Sequence, residues 1–145
     1  MKIRNGFVSN SSSSSFIITM KNGKELDRET LLKIFNVSKD SPLFNFTNDL
    51  AHWLVRNLEK NDIENIYEMY VGSNNKSIDE KINEIVEESY GRFTEEDLRK
   101  ILNGEILYYS GDASNECENA VEFFLYENGS SLDYEDDIIK IEGGR

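Results

Sequence analysis

The sequence predicts an α+β domain: a small mixed β-sheet, built from an N-terminal hairpin and two C-terminal strands, with a helical middle section. Three observations carry this expectation. Phe16-Ile17-Ile18-Thr19-Met20 is dense in β-formers and stops at Asn22-Gly23, a strong turn signal. From about residue 27 to residue 104 the apolar residues recur at steps of three and four, the helical period. After residue 105 two short apolar runs bracket one more helical segment. A chain of 145 residues has the size of one domain, 1–145, and can bury a sufficient core without a disulfide or metal staple.

Taken in order, Ile3, Phe7 and Val8 around Asn5-Gly6 form a broken strand pattern. With Phe16–Met20 it would make two strands flanking a serine-rich loop. Asp27 is placed to cap a short helix carrying Leu31, Leu32, Ile34 and Phe35. Phe46, Leu50, Trp53, Leu54 and Leu58 share one helical face, with Thr47 or Asn48 as its start. Residues 63–71 fit two periods: Ile63, Ile66, Tyr67 and Tyr70 suit a helix, Tyr67, Met69 and Val71 a strand. Helix is favoured. Ile78, Ile82, Ile85, Val86 and Tyr90 make a further stripe behind Ser77 and Glu80, the spacing of a capping box, and Gly91 ends it. Thr94 opens a helix with Leu98, Ile101 and Leu102 that stops at Gly104. Ile106–Tyr109 reads as a strand ending at Gly111-Asp112, Ala120–Leu125 as a helix stopping at Asn128-Gly129, and Ile138–Ile141 as a last strand. That strand-helix-strand order allows a parallel crossover.

The charge is uneven. Residues 1–60 hold nine Lys and Arg against six Asp and Glu, a net of +3, whereas residues 61–145 hold seven against twenty-two, a net of −15. Such a field repels nucleic acid and anionic membranes and favours cationic partners. A phosphate-binding stripe of clustered Lys and Arg is absent, so direct nucleic-acid binding is not expected. No window approaches a membrane span, and Asn5–Ser15 lacks the apolar run of a secretory signal. A cytoplasmic location and no membrane contact are therefore expected.

Few residues offer catalytic chemistry. The single histidine, His52, lies three residues after Asp49 and four before Arg56, which would stack all three on one side of a helix. Either His52 is a general base held by Asp49 or it is an ordinary surface residue, and the second reading is favoured. The single cysteine, Cys117, excludes an internal disulfide framework and has no basic neighbour to lower its pKa. Asp112, Glu116, Glu118 and Glu122 invite comparison with a calcium loop, but Cys117 and Phe123 stand where that loop needs Gly and a carboxylate. Asp133, Glu135, Asp136 and Asp137 have no spacing diagnostic of a metal. No cofactor is expected. Ser9, Asn10, Ser11, Ser12 and Ser13 could form an anion-binding nest, or simply a flexible polar loop.

Met1-Lys2-Ile3-Arg4-Asn5-Gly6-Phe7-Val8-Ser9-Asn10, the serines to Ser15 and Phe16-Ile17-Ile18 together resemble the start of many small uncharacterised proteins of bacteriophages and Firmicute bacteria. The resemblance implies a phage or mobile-element origin and a bacterial cytoplasmic setting, and it carries over no catalytic residue. With the charge, it leads to a first expectation of a non-enzymatic acidic interaction protein. Such a protein would inhibit a host nucleic-acid-handling defence enzyme, of anti-CRISPR or anti-restriction type, by presenting carboxylates where phosphates sit. The candidate contacts are Glu84, Glu87, Glu88, Glu95, Glu96 and Asp97, around the junction of two predicted helices. The alternatives are a small carboxylate- or metal-dependent hydrolase or nucleotide-binding protein, and an accessory phage protein without inhibitory role.

Overall fold

A computed structural model describes residues 13–114, 116 and 119–144. Among these, the chain runs β1 (Ser13–Met20), α1 (Arg28–Phe35), α2 (Phe44–Asn57), β2 (Glu59–Asn61), α3 (Ile63–Tyr70), α4 (Ile78–Glu88), α5 (Glu95–Leu102), β3 (Leu107–Ser114), α6 (Ala120–Asn128), β4 (Tyr134–Glu135) and β5 (Ile139–Glu142). The strands form one sheet in the order β2-β3-β1-β5-β4, and every neighbouring pair is antiparallel. The α+β class is as expected, with the sheet antiparallel throughout. The parallel pairing that the sequence allowed is not made, because β1 lies between β3 and β5 and runs against both. The first strand of the expected N-terminal hairpin lies outside the described residues.

Alternation along the strands sorts the side chains onto two faces. Phe16, Ile18 and Met20 of β1, with Tyr109 and Ala113 of β3 and Ile139 and Ile141 of β5, face one core. Leu31 of α1, Leu50 and Leu54 of α2 and Leu125 of α6 cover it. Ile17 and Tyr108 point the other way, into a second core with Ile66 and Tyr67 of α3, Ile82 and Ile85 of α4 and Leu98 of α5. The consecutive buried pair Tyr108-Tyr109 marks a strand covered on both faces. The helices therefore form two layers with the sheet between them: α1, α2 and α6 on one side, α3, α4 and α5 on the other.

Most helix ends obey local chemistry. Asp27 accepts the Thr30 N–H at 2.8 Å and Thr94 accepts the Asp97 N–H at 3.1 Å. Ser77 and Glu80 close the reciprocal capping box, and Asp62 and Asn65 form another that makes residues 63–70 helical. The start of α2 differs from expectation. Ser41 begins a turn, its Oγ accepting the Leu43 N–H at 3.1 Å and its carbonyl the Phe44 N–H at 3.1 Å. The helix thus opens at Phe44, and Thr47 lies inside it, donating to the Leu43 carbonyl at 2.9 Å.

Two glycines serve packing. Gly111 does not end β3; a Cβ there would stand 2.8 Å from Leu58 Cδ2 and 3.0 Å from the Asn57 carbonyl, so the glycine lets the end of α2 close onto the strand. The buried Phe16 ring leans on Gly143, where a Cβ would come within 2.8 Å of the ring and 2.4 Å of the Gly129 carbonyl.

Candidate functional site

The α4–α5 junction holds the acidic residues singled out from the sequence. Helix α4 ends at Glu88 with Ser89 as its cap. The buried Ser89 hydroxyl accepts the Phe93 N–H at 3.3 Å and so fixes the turn from inside. Tyr90 and Gly91 then reverse the chain with φ of 49° and 90°. The stripe Ile78, Ile82, Ile85, Val86 and Tyr90 is therefore broken at its last member. The helix stops before Tyr90, which is 90% exposed instead of joining the core.

The six carboxylates separate into distinct environments. Glu87, Glu88, Glu95 and Glu96 are exposed. Glu95 lies 3.4 Å from Arg99 and Glu96 3.8 Å from Lys100 along α5, and Arg99 also meets Asp79 of α4 at 2.7 Å. Exposed pairs of this kind add little stability, and they set a cation beside Glu95 and beside Glu96, so the unpaired exposed negative charge at the junction is, among the described residues, that of Glu87 and Glu88. Glu84 is turned inward: it accepts from the Lys76 ammonium and from the Tyr67 hydroxyl. These two donors, Lys76 first, hold its carboxyl below the usual value. Asp97 is half-buried and lines a cavity on the other flank of α5. The outward acidic group is thus Glu87, Glu88, Glu95 and Glu96, arranged about Tyr90 in the chain. Acidic residues elsewhere fall on both helical layers, as Glu122 of α6 and Glu64 of α3 illustrate.

The cavity, of about 550 Å³, lies where the α3–α5 layer ends short of the far strands. Its sheet wall carries Thr19, Tyr108 and Lys140, and its helix wall Phe93, Asp97 and Lys100. Arg92 grips Glu142 through two bonds of 3.1 Å at one end. At the other, Lys21 meets Glu135 at 2.5 Å and the Asp136 carbonyl at 2.8 Å. Burial is the main cause that pushes the Tyr108 hydroxyl pKa above its ordinary value, and Tyr70 adds to it.

The remaining candidates take structural or separate places. Ser13 belongs to β1 rather than to a loop, and Ser9, Asn10, Ser11 and Ser12 lie outside the described residues. Ser15 donates to Asp112 at 2.8 Å across the β1–β3 pairing, where the two residues are in register. Glu122 accepts the Ser114 N–H at 2.8 Å and Asp133 the Gly143 N–H at 2.8 Å. Asp136 accepts from Ile138 and Ile139, at 2.7 and 2.9 Å. Among the described residues no three His, Cys, Asp or Glu side chains gather as a metal-ligand group; Cys117 and Glu118 lie outside them. Asp49, His52 and Arg56 do line one groove, with Trp53 and the start of α6. His52 is exposed there, and no hydrogen bond joins it to Asp49.

Sequence reasoning missed Tyr90 and the cavity. Gly91 was the available signal for Tyr90, since a helix stop placed there removes the preceding residue from the stripe. Among the described residues no helix is long and apolar enough to cross a membrane. Compared with known proteins, the chain matches no family model, no curated protein and no solved structure.

Proposed function

We propose that this chain is a non-enzymatic interaction protein whose α4–α5 junction docks on a cationic protein surface. One observation carries the reading: Tyr90 stands in left-handed backbone, 90% exposed, between two pairs of exposed glutamates in the chain. Helix ends ordinarily reserve that conformation for Gly or Asn, and a residue with a Cβ held there is strained without a compensating contact of its own. Strain of this sort gathers where a side chain is needed for recognition. Tyrosine is among the residues that anchor protein interfaces, and a carboxylate rim steers a basic partner and rejects acidic ones.

The partner class follows from the N-terminal resemblance and the −12 net charge. It is a nucleic-acid-handling enzyme of a bacterial host, met at the channel that otherwise binds phosphates. The chain performs no bond chemistry in this role. The test is capture from host lysate on immobilised protein, followed by competition with a short DNA duplex. A captured nuclease or helicase that duplex DNA displaces, and that raised salt releases, is the expected result. Replacing Glu87, Glu88, Glu95 and Glu96 by Gln should abolish capture. Capture that survives both this replacement and excess duplex would overturn the reading, as would recovery of no such enzyme at low salt.

A further inference from the structure

We infer that the cavity between α5 and the uncovered strands is a binding site for a small zwitterion, of the class of short peptides with free termini. The inference is independent of the docking role proposed for the α4–α5 junction. Two of the ion pairs at this cavity are internally satisfied, Arg92 with Glu142 and Lys21 with Glu135. They bracket the cavity at its two ends. What they leave is balanced: Lys140 and Lys100 as cations, Asp97 and Glu105 as anions. Among the described residues Lys140 has no ion pair within 4 Å, although it stands opposite Glu135 in the β4–β5 pairing and is attracted by that carboxylate's charge, and Lys100 has only the 3.8 Å approach of Glu96, which is not among the residues that line the cavity. A neutral balance is unusual within the stretch from residue 61 onward, where twenty-two acidic residues face seven basic ones.

A purely anionic ligand would meet Asp97 and Glu105, and a purely cationic one would meet Lys140 and Lys100, each at an electrostatic penalty. A molecule bearing one carboxylate and one ammonium satisfies both sets. Phe93, Ile101 and Ile106 supply an apolar wall for the side chain between the two charges, and Thr19 and Asn22 supply neutral polar groups for a peptide bond. The volume of about 550 Å³ falls within the usual range of small-molecule sites. The site exists because the helical layer is narrower than the sheet: the second core takes in β1 and β3 through Ile17 and Tyr108 but no residue of β5.

Calorimetry with the full chain tests this, using the dipeptide leucyl-phenylalanine and its N-acetylated and C-amidated forms. The free dipeptide should bind saturably, and each blocked form at least about tenfold more weakly, the loss of one charge-assisted contact. Lys140→Met, which keeps an unbranched side chain without the charge, should remove the preference over the C-amide, while Asp97→Asn should narrow the preference over the N-acetyl form. Denaturation midpoints within error of the parent establish that both variants fold. Equal binding of free and blocked dipeptides would overturn the inference, as would no saturable binding up to about 10 mM, or a folded Lys140→Met protein with an unchanged preference.

Discussion

Replacing Tyr90 by glycine separates what this residue does for the fold from the recognition role proposed for it. At φ 49° a residue with a Cβ is disfavoured by about 1–2 kcal/mol relative to right-handed helical backbone. Glycine lifts that strain, while its freer unfolded chain offsets about 0.5–1 kcal/mol of the gain. The ring is nine-tenths exposed, so its removal uncovers almost no apolar surface. Tyr90→Gly is therefore expected to leave stability unchanged or to raise it by about 1 kcal/mol, with Tm higher by about 2–4 °C. Urea unfolding followed by circular dichroism measures this, with an unchanged m-value showing that the surface exposed on unfolding is the same. The same variant should lose the captured partner. A stability loss above about 1 kcal/mol would refute the reasoning, because it would mean that the ring packs or that the turn depends on it. Full retention of the partner would refute the anchoring role.

Three further outcomes are expected. Lys81 is only 8% exposed and meets both Glu64 oxygens at 2.6 and 2.7 Å, whereas Glu64 is 55% exposed. Glu64→Gln, which strands a buried ammonium, should thus cost about 2 kcal/mol and clearly more than Lys81→Met, as read from urea midpoints. Gly143→Ala drives a methyl against the Gly129 carbonyl and the Phe16 ring and should cost about 1–3 kcal/mol by the same measurement. The N–H groups of Ile138 and Ile139, with the Tyr134 hydroxyl after them, hold the Asp136 carboxyl below its ordinary 3.8. A carboxyl depressed in the folded state stabilises above its unfolded value, and that contribution disappears as pH falls through the folded one. Asp136→Asn should therefore lower stability near neutrality and flatten the acid limb below about pH 4, which urea midpoints across pH would show.

Elements governed by neighbours in the chain were legible; those governed by distant packing were not. Ser77 with Glu80, Asp27 and Thr94 announce helix starts because donor and acceptor lie within four residues. Thr47 misleads because an equally local device, the Ser41 turn, acts one helical turn earlier. Gly111 resembles a stop, yet its cause is Leu58, more than fifty residues away. Partner strands are likewise set at long range: β1 pairs with β3 and β5, which lie about ninety residues or more further along the chain. At the acidic junction the exposed glutamates were readable from helical position. The burden on Glu84 was not, because Lys76 and Tyr67 reach it from outside its helix. The cavity is assembled from β1, α5, β3 and the last two strands, and no sequence window contains it.

Strands β2 and β3 pair directly, Glu59 opposite Ser110 and Asn61 opposite Tyr108, so everything from residue 62 to residue 106 leaves the sheet and returns to it at a narrow neck. The whole α3–α5 layer, with the Tyr90 tip and the core that it shares with Ile17 and Tyr108 of the sheet, is one uninterrupted excursion. Insertions, deletions or charge changes within it need not reroute any strand or disturb the core on the opposite face. A scaffold wired in this way can vary the surface of one layer while conserving the strand pairing beneath it.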